Sequence, residues 1–202
     1  MTATKIHIKT NIRRRLADMV TPVSLYLKIR EHYDQTVLLE SNDFRSAQNC
    51  FSFIGIDPIA GFKVQNGRLE TTLPNGEKEE QYLQQYTNVP RLMQDYLAQF
   101  DVEQNADYQV VNGFFGHTSF DGVQYFETIK FDDEKRKFDL PDINYNLYRF
   151  VIAINHFKEE FYLLENLPLD EKSQLDKLER LLAITHVTVS YTHLTLPTIC
   201  SV

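Results

Sequence analysis

Short apolar runs and alternating positions along the chain predict strands that pair mainly as hairpins. The clearest signal is the pair Asn66-Gly67 between two alternating runs, because both positions of a two-residue turn need positive φ. A second antiparallel hairpin is predicted around residues 156–159. The predicted strands are residues 5–10, which alternate like a half-buried edge strand, then 37–39, 51–56, 62–65, 68–73, 110–115, 148–155 and 160–164.

Helical signals lie between pairs of strands and do not follow every strand. Thr21 can cap a first helix, and Pro22 suits its first turn because proline has no N–H to leave unpaired there. Polar residues 75–88 predict a surface loop. The predicted helices begin at Thr21-Pro22 and at Phe120-Asp121 and cover residues 90–100 and 171–183. This arrangement indicates an α+β fold with a largely antiparallel sheet and flanking helices.

Composition narrows the classes of partner. The 202 residues are 43% hydrophobic, which is enough to fill a core, and the net charge is -7 with scattered basic residues. Nucleic acid and anionic membranes need a concentrated basic face, so neither is expected as a partner. The apolar runs are too short to span a bilayer. Cys50 and Cys200 form no CxxC spacing, and the N-terminus has no signal-peptide pattern, so a reduced, cytoplasmic protein is expected.

The last residues are expected not to be native. One possible coding sequence for residues 189–198 reproduces the transposase mosaic end used in sequencing libraries, followed by its read-one primer segment. A β-rich C-terminus is the alternative interpretation of the same composition. We therefore expect residues 188–202 to be an adapter-derived tail, residues 1–187 to be the native region, and His193 and Cys200 not to be site residues.

No sequence motif for an active site is present: the chain lacks Walker A, GxGxxG, GxSxG and HExxH patterns. His156 and His117 are interpreted as structural residues, although His117 could line a cleft. Glu40 and Ser41 follow a short apolar strand together. A carboxylate and a hydroxyl at one strand end can bind the ammonium and the carboxylate of a ligand, and an ordinary exposed strand end is the alternative.

Several segments resemble one family, anthranilate synthase component I, and occur in the order of that family. They are TPVSLYLK at residues 21–28, LLES at 38–41, SFIGIDP at 52–58, the Gly- and Phe-rich segment GFFGHTSFDGVQYFE at 113–127, and Pro141-Asp142. The resemblance covers residues 5 to about 185 and implies the N-terminal part of the two-layer fold of that family.

In this family the LLES element lines a regulatory tryptophan site. The resemblance therefore implies that Glu40 and Ser41 contact L-tryptophan, with Asn49 near a position where many members carry a basic residue. His117 and Phe120 stand where tyrosines are usual. The catalytic residues and the metal ligands would belong to the C-terminal half of the enzyme, so none is assigned to this chain.

The resemblance also implies a reaction. The enzyme adds ammonia to chorismate and eliminates pyruvate to give anthranilate, which makes it a carbon–oxygen lyase, with Mg²⁺ bound near the substrate carboxylate. A separate glutamine amidotransferase subunit (component II) supplies the ammonia, and the chain alone is expected to be inactive. Two alternatives stay open: aminodeoxychorismate synthase component I of the folate pathway, and a stand-alone small-molecule binding module.

Overall fold

The computed structural model describes residues 5–17, 21–40, 50–84, 87–103, 112–129, 131, 138–168 and 171–183. Residues 184–202 lie outside these ranges, so the expected boundary between residues 187 and 188 stays a prediction. The strands are β1 (Ile6–Leu16), β2 (Thr36–Leu39), β3 (Phe51–Gln65), β4 (Arg68–Thr72), β5 (Lys78–Tyr82), β6 (Phe100–Val102), β7 (Phe114–Thr118), β8 (Ile143–Asn155) and β9 (Glu160–Pro168). The helices are α1 (Pro22–Arg30), α2 (Val89–Leu97), α3 (Leu175–Ala183) and a 3₁₀ helix (Phe120–Tyr125).

All of these strands form one sheet in the order β5-β4-β3-β8-β9-β1-β6, with β2 added to β3 and β7 added to β8. Every pairing is antiparallel except that of β1 with β6. The predicted α+β class with a largely antiparallel sheet is therefore confirmed. Within the described ranges, no helix has the length and apolar character needed to cross a membrane.

Local signals for turns and caps are confirmed. Asn66 and Gly67 adopt φ values of 51° and 69° in the β3–β4 turn. Thr21 caps α1: its hydroxyl accepts a hydrogen bond from the Ser24 N–H, and the Ser24 hydroxyl accepts one from the Thr21 N–H, both at 3.1 Å. Both features depend on a few neighbouring residues, which is why the sequence predicts them well.

Three strand predictions are wrong in detail. The expected break after Ile56 does not occur, because β3 continues through a bulge at which the pairing with β8 shifts between Pro58 and Ala60. Asp57 adopts φ 59° there and donates its backbone N–H to the Gln35 carbonyl at 3.0 Å. Pro58 itself stands opposite Tyr148 next to the shift, which agrees with the rule that prolines within sheets occur at edges or at bulges.

The other two errors concern the edges of the sheet. The predicted loop at 75–88 contains β5, which pairs with β4 and is exposed at every residue. The predicted edge strand at 5–10 is only the first part of β1, which lies between β6 and β9. In addition, the helix predicted at 90–100 ends at Leu97, because Phe100 begins β6.

Two helices cover one face of the central strands, called here the helix side. Ile29 of α1 and Leu178 of α3 are fully buried in one cluster with Ile152 of β8 and Leu163 of β9. α2 covers another part of the sheet, where Tyr96 packs in a second cluster. The helices therefore bury the apolar residues that alternate along the long strands.

The opposite face of β3, β8 and β9 is called here the aromatic side. Val151 and Leu164 lie there with no exposed surface. In the part of the chain that the structure describes, no helix belongs to this cluster; the partly buried rings of Phe51, Phe53 and Phe115 pack on it instead. This face is therefore covered by side chains of the sheet itself.

Candidate functional site

The structure places two of the family-like segments side by side. β2 and β3 are antiparallel neighbours, with Leu38 opposite Ile54 and Leu39 opposite Phe53. Residues 38–39 and 52–58 therefore meet in one part of the sheet, although a connection of 11 residues, 40–50, separates β2 from β3. Sequence order alone does not predict this pairing.

Glu40 follows the last residue of β2 and is exposed. Ser41 and Asn49 lie outside the described residues, so their assignment to a ligand site stays a prediction. A carboxylate on the surface at a strand end can accept hydrogen bonds from a ligand ammonium at a small desolvation cost.

The residues that begin β3 are held by the β8–β9 turn. The buried Ser52 hydroxyl lies 2.8 Å from Nε2 of His156, and the His156 backbone N–H donates to the Cys50 carbonyl at 3.1 Å. The His156 ring thus has a partner, which fits the structural role expected for it. Ser52 is almost completely buried, so this pair offers a substrate no accessible nucleophile.

Three aromatic rings lie next to this strand end on the aromatic side. The ring centroids of Phe51 and Phe53 are 5.9 Å apart, and those of Phe53 and Phe115 are 5.0 Å apart. Phe115 reaches this place through the pairing of β7 with β8. The cluster is not evident from the sequence, because its third ring comes from a distant strand.

Tyr148 adds a polar group to the same side. Its ring lies over Gly55, where a Cβ atom would be 2.6 Å from the ring. Burial raises the pKa of the Tyr148 hydroxyl above its ordinary value, and a hydrogen bond with Asn146 partly offsets this rise. Gly55 is therefore needed for close packing, and the hydroxyl stays protonated at neutral pH.

His117 and Phe120 lie farther along the chain, at the end of β7 and the start of the 3₁₀ helix. His117 is exposed and stands opposite Asn144 of β8. Phe120 is 82% exposed, and its ring centroid is 5.7 Å from that of Phe131. Both side chains are accessible, but the structure gives neither of them a contact with Glu40.

Two buried polar clusters are structural. Asn112 donates to the Thr10 hydroxyl at 3.1 Å and to Oδ1 of Asn166 at 2.8 Å, and Asn166 donates to the Tyr148 carbonyl at 2.9 Å. Glu165 accepts hydrogen bonds from the Ser173 hydroxyl at 2.5 Å and from a backbone N–H at 2.6 Å. These groups are satisfied by the protein itself and therefore need no ligand.

Metal-type ligands do not converge in the described ranges: no group of three or more His, Cys, Asp or Glu side chains there could hold a metal ion. The resemblance places the Mg²⁺ ligands outside this chain, so Mg²⁺ binding by the complete enzyme stays a prediction.

Comparisons with known proteins agree with the motifs. The chain is 25% identical over 165 residues to anthranilate synthase component 1 of Lactococcus lactis, which covers 81% of this chain and 34% of that protein. It is 29% identical over 153 residues to the protein of the same name from Thermus thermophilus, covering 74% of this chain and 30% of that protein. The chain spans about a third of the length of the curated relatives it matches.

A solved structure is also similar: the crystal structure of anthranilate synthase component I from Streptococcus pneumoniae. It is 21% identical with a TM-score of 0.45, and the match covers 85% of this chain and 36% of that chain. No family model matches the chain. The resemblance that the sequence motifs indicate is nevertheless confirmed by the relatives, and over about four-fifths of its length this chain is similar to proteins named anthranilate synthase component 1.

Proposed function

We propose that this chain is the tryptophan-sensing, N-terminal part of an anthranilate synthase component I. The observation that carries the proposal is the pairing of the LLES strand with the SFIG strand, with Leu39 opposite Phe53 and the exposed Glu40 directly after the end of β2. The names of the relatives suggest which enzyme the chain belongs to, and the local geometry supports a ligand site.

The ligand is L-tryptophan in this proposal. Glu40 accepts hydrogen bonds from its ammonium group, while Ser41 and Asn49 contact its carboxylate. Because Asn49 is neutral, the carboxylate contact is weaker than one made by a basic residue. An aromatic wall such as the one around Phe53 suits a flat indole ring, since stacked aromatic pairs add about 0.5–1.5 kcal/mol beyond their buried area.

The whole enzyme converts chorismate and ammonia to anthranilate and pyruvate in the cytoplasm. Ammonia comes from a glutamine amidotransferase subunit (component II). The residues that bind chorismate and Mg²⁺ belong to the part of the enzyme that this chain does not include, so the chain by itself is inactive. Tryptophan favours a domain arrangement in which the chorismate site is poorly formed, and the two ligands therefore weaken each other's binding reciprocally.

The experiment is the substitution Ser41→Arg in the complete enzyme that carries this chain. We expect tryptophan inhibition to be lost while activity without tryptophan is kept, because the larger side chain occupies the ligand site. Anthranilate formation from chorismate, Mg²⁺ and ammonia is followed by its fluorescence. Gln81→Arg on the exposed strand β5 introduces the same charge far from the site and should leave inhibition unchanged.

Two results would separate the alternatives. An unchanged inhibition constant in Ser41→Arg would reject the site, even if the enzyme forms anthranilate. A different aromatic amine as product, with no anthranilate, would reject the enzyme and favour the folate-pathway homologue.

A further inference from the structure

A polar groove crosses β3, β4 and β8 on the face opposite α2. Its volume is about 610 Å³, and it is lined by strand residues and by the turn before β2. Phe62 and Val64 of β3 point to the buried cluster under α2, so Gly61 and Lys63 belong to the groove face by strand alternation. Along β3 the groove extends from Pro58 to Lys63, and Tyr148, whose ring lies over Gly55, lines the end nearer Phe53.

The pairing register builds the floor of this groove. Lys63 stands opposite Asn144 on one side and opposite Glu70 on the other, in one row across three strands. The next row places Gly61 between Asn146 and Thr72. A Cβ atom at Gly61 would lie 2.5 Å from Oδ1 of Asn146, so a larger residue at this position would clash with Asn146 in the middle of the groove floor.

Some polar groups of the groove have partners within the protein, and others have none among the described residues. Glu70 forms an ion pair with Lys78 at 3.8 Å, and Nδ2 of Asn146 donates to Oδ1 of Asn144 at 3.2 Å. Lys63 has no ion-pair or hydrogen-bond partner among the described residues, and the Nδ2 group of Asn144 has none there either. The floor therefore offers an ammonium and an amide donor in directly paired positions.

We propose that this groove binds a small hydroxylated carboxylate, with Lys63 as its anchoring cation and Asn144 as its second donor. The ligand hydroxyls contact the remaining amide and hydroxyl side chains, which include Asn146 and Thr72. The anchoring residue Lys63 lies ten residues along β3 from Phe53, and this proposal does not depend on the tryptophan site of the proposed function.

A carboxylate fits this groove better than a phosphate. Phosphate sites usually use backbone N–H groups at a helix N-terminus or in a nest. Here the floor belongs to three hydrogen-bonded strands, whose ladders occupy the backbone groups. Two lysines and two acidic residues, Asp34 and Glu70, line the groove, so a dianion would be poorly balanced by its charges.

The test is an NMR titration of the complete 202-residue chain with sodium gluconate, with acetate, glucose and inorganic phosphate as comparison ligands. We expect saturable amide shifts around Gly61 and Asn144 with gluconate, and weaker binding of the other three. Lys63→Gln should weaken gluconate binding about tenfold or more, since a charge-assisted hydrogen bond is lost. Asn144→Leu leaves the charge of the groove unchanged and should also weaken gluconate binding. A general attraction of anions to the groove would not produce this effect.

Lys177→Gln on α3 removes one exposed lysine elsewhere and is the matched control, for which no change is expected. An amide spectrum of each variant that overlays the wild-type spectrum outside the groove verifies the fold. The proposal is overturned if gluconate gives no saturable shifts, if phosphate binds more tightly, or if Lys177→Gln weakens binding as much as Lys63→Gln.

Discussion

The two faces of the central sheet bury equally apolar residues in different ways. Leu163 and Leu164 are neighbours on β9 and have no exposed surface, yet one faces the helix side and the other the aromatic side. On the helix side the cover consists of α1 and α3. On the aromatic side it consists of Phe51, Phe53 and Phe115, which stay partly exposed. The rings that cover the aromatic side are therefore more exposed to solvent than the buried residues under α1 and α3.

The ion pairs on the two sides also differ in how deeply both partners are buried. On the helix side, Glu165 is fully buried and lies 3.7 Å from the guanidinium of Arg149, which is itself 8% exposed. On the aromatic side, Glu160 pairs with Arg14, whose side chain is 56% exposed. An ion pair whose partners are both buried is sensitive to the loss of one partner, because the other cannot return to water.

The largest effect is expected for Glu165→Ala on the helix side. The change leaves the Ser173 hydroxyl and the Gln174 N–H without their acceptor and removes a carboxylate next to Arg149. Arg149 keeps its ion pair with Glu171, but two donors lose their buried acceptor, so the free energy of unfolding should fall by about 3–5 kcal/mol. Urea denaturation followed by circular dichroism measures the change.

Glu160→Ala is the matched variant on the aromatic side. Arg14 can be solvated after the change, and only the Tyr162 hydroxyl loses a largely buried acceptor, at 3.1 Å. The expected loss is about 1–2 kcal/mol. Equal losses in the free energy of unfolding for Glu165→Ala and Glu160→Ala would show that burial of both partners makes no difference, which contradicts the comparison.

The next effect compares two truncations on one strand. Leu163→Ala should lower the free energy of unfolding by about 3–5 kcal/mol, because the buried residues around it cannot fill the cavity. Leu164→Ala should cost about 2–3 kcal/mol, since the partly exposed rings on the aromatic side can relax into the space. The same urea denaturation measures both, and a larger loss for Leu164→Ala would reverse the proposed order of rigidity.

The sequence predicts the parts of this fold that depend on neighbouring residues. The Asn66-Gly67 turn and the Thr21 cap are both correct, because their conformations follow from a few local hydrogen bonds and φ preferences. The continuation of β3 past Pro58 is not predicted, since the bulge there depends on the distant partner strand β8. β5 is missed for another reason: an edge strand exposed at every residue has no apolar periodicity to detect.

The candidate site also contains one part that local sequence predicts and one part that it does not. The position of Glu40 at the end of a strand follows from the apolar run before it, and that prediction is correct. The ring of Phe115 next to Phe53 is not predictable, because β7 reaches this place only through its pairing with β8. Local sequence therefore predicts the polar strand end, whereas the aromatic cluster depends on tertiary pairing.

The smallest effect concerns two tyrosines, the buried Tyr148 on the aromatic side and the partly buried Tyr33 on the helix side. Burial raises the pKa of Tyr148 on the aromatic side and of Tyr33 on the helix side above the ordinary value of 10.0. Below that pH both hydroxyls are protonated in the folded and unfolded states. As the pH rises above it, the unfolded chain loses these protons first, so the folded state becomes less stable.

The free energy of unfolding should therefore fall between about pH 9 and pH 11, by less than about 1.4 kcal/mol per pH unit for each tyrosine. Tyr148→Phe should reduce this slope more than Tyr33→Phe, because Tyr148 is only 6% exposed whereas Tyr33 is less deeply buried. Tyr82→Phe, at a ring that is 81% exposed, is the control. If Tyr33→Phe has the larger effect, the Tyr148 hydroxyl is better solvated than its 6% exposure indicates, which contradicts the burial seen around it.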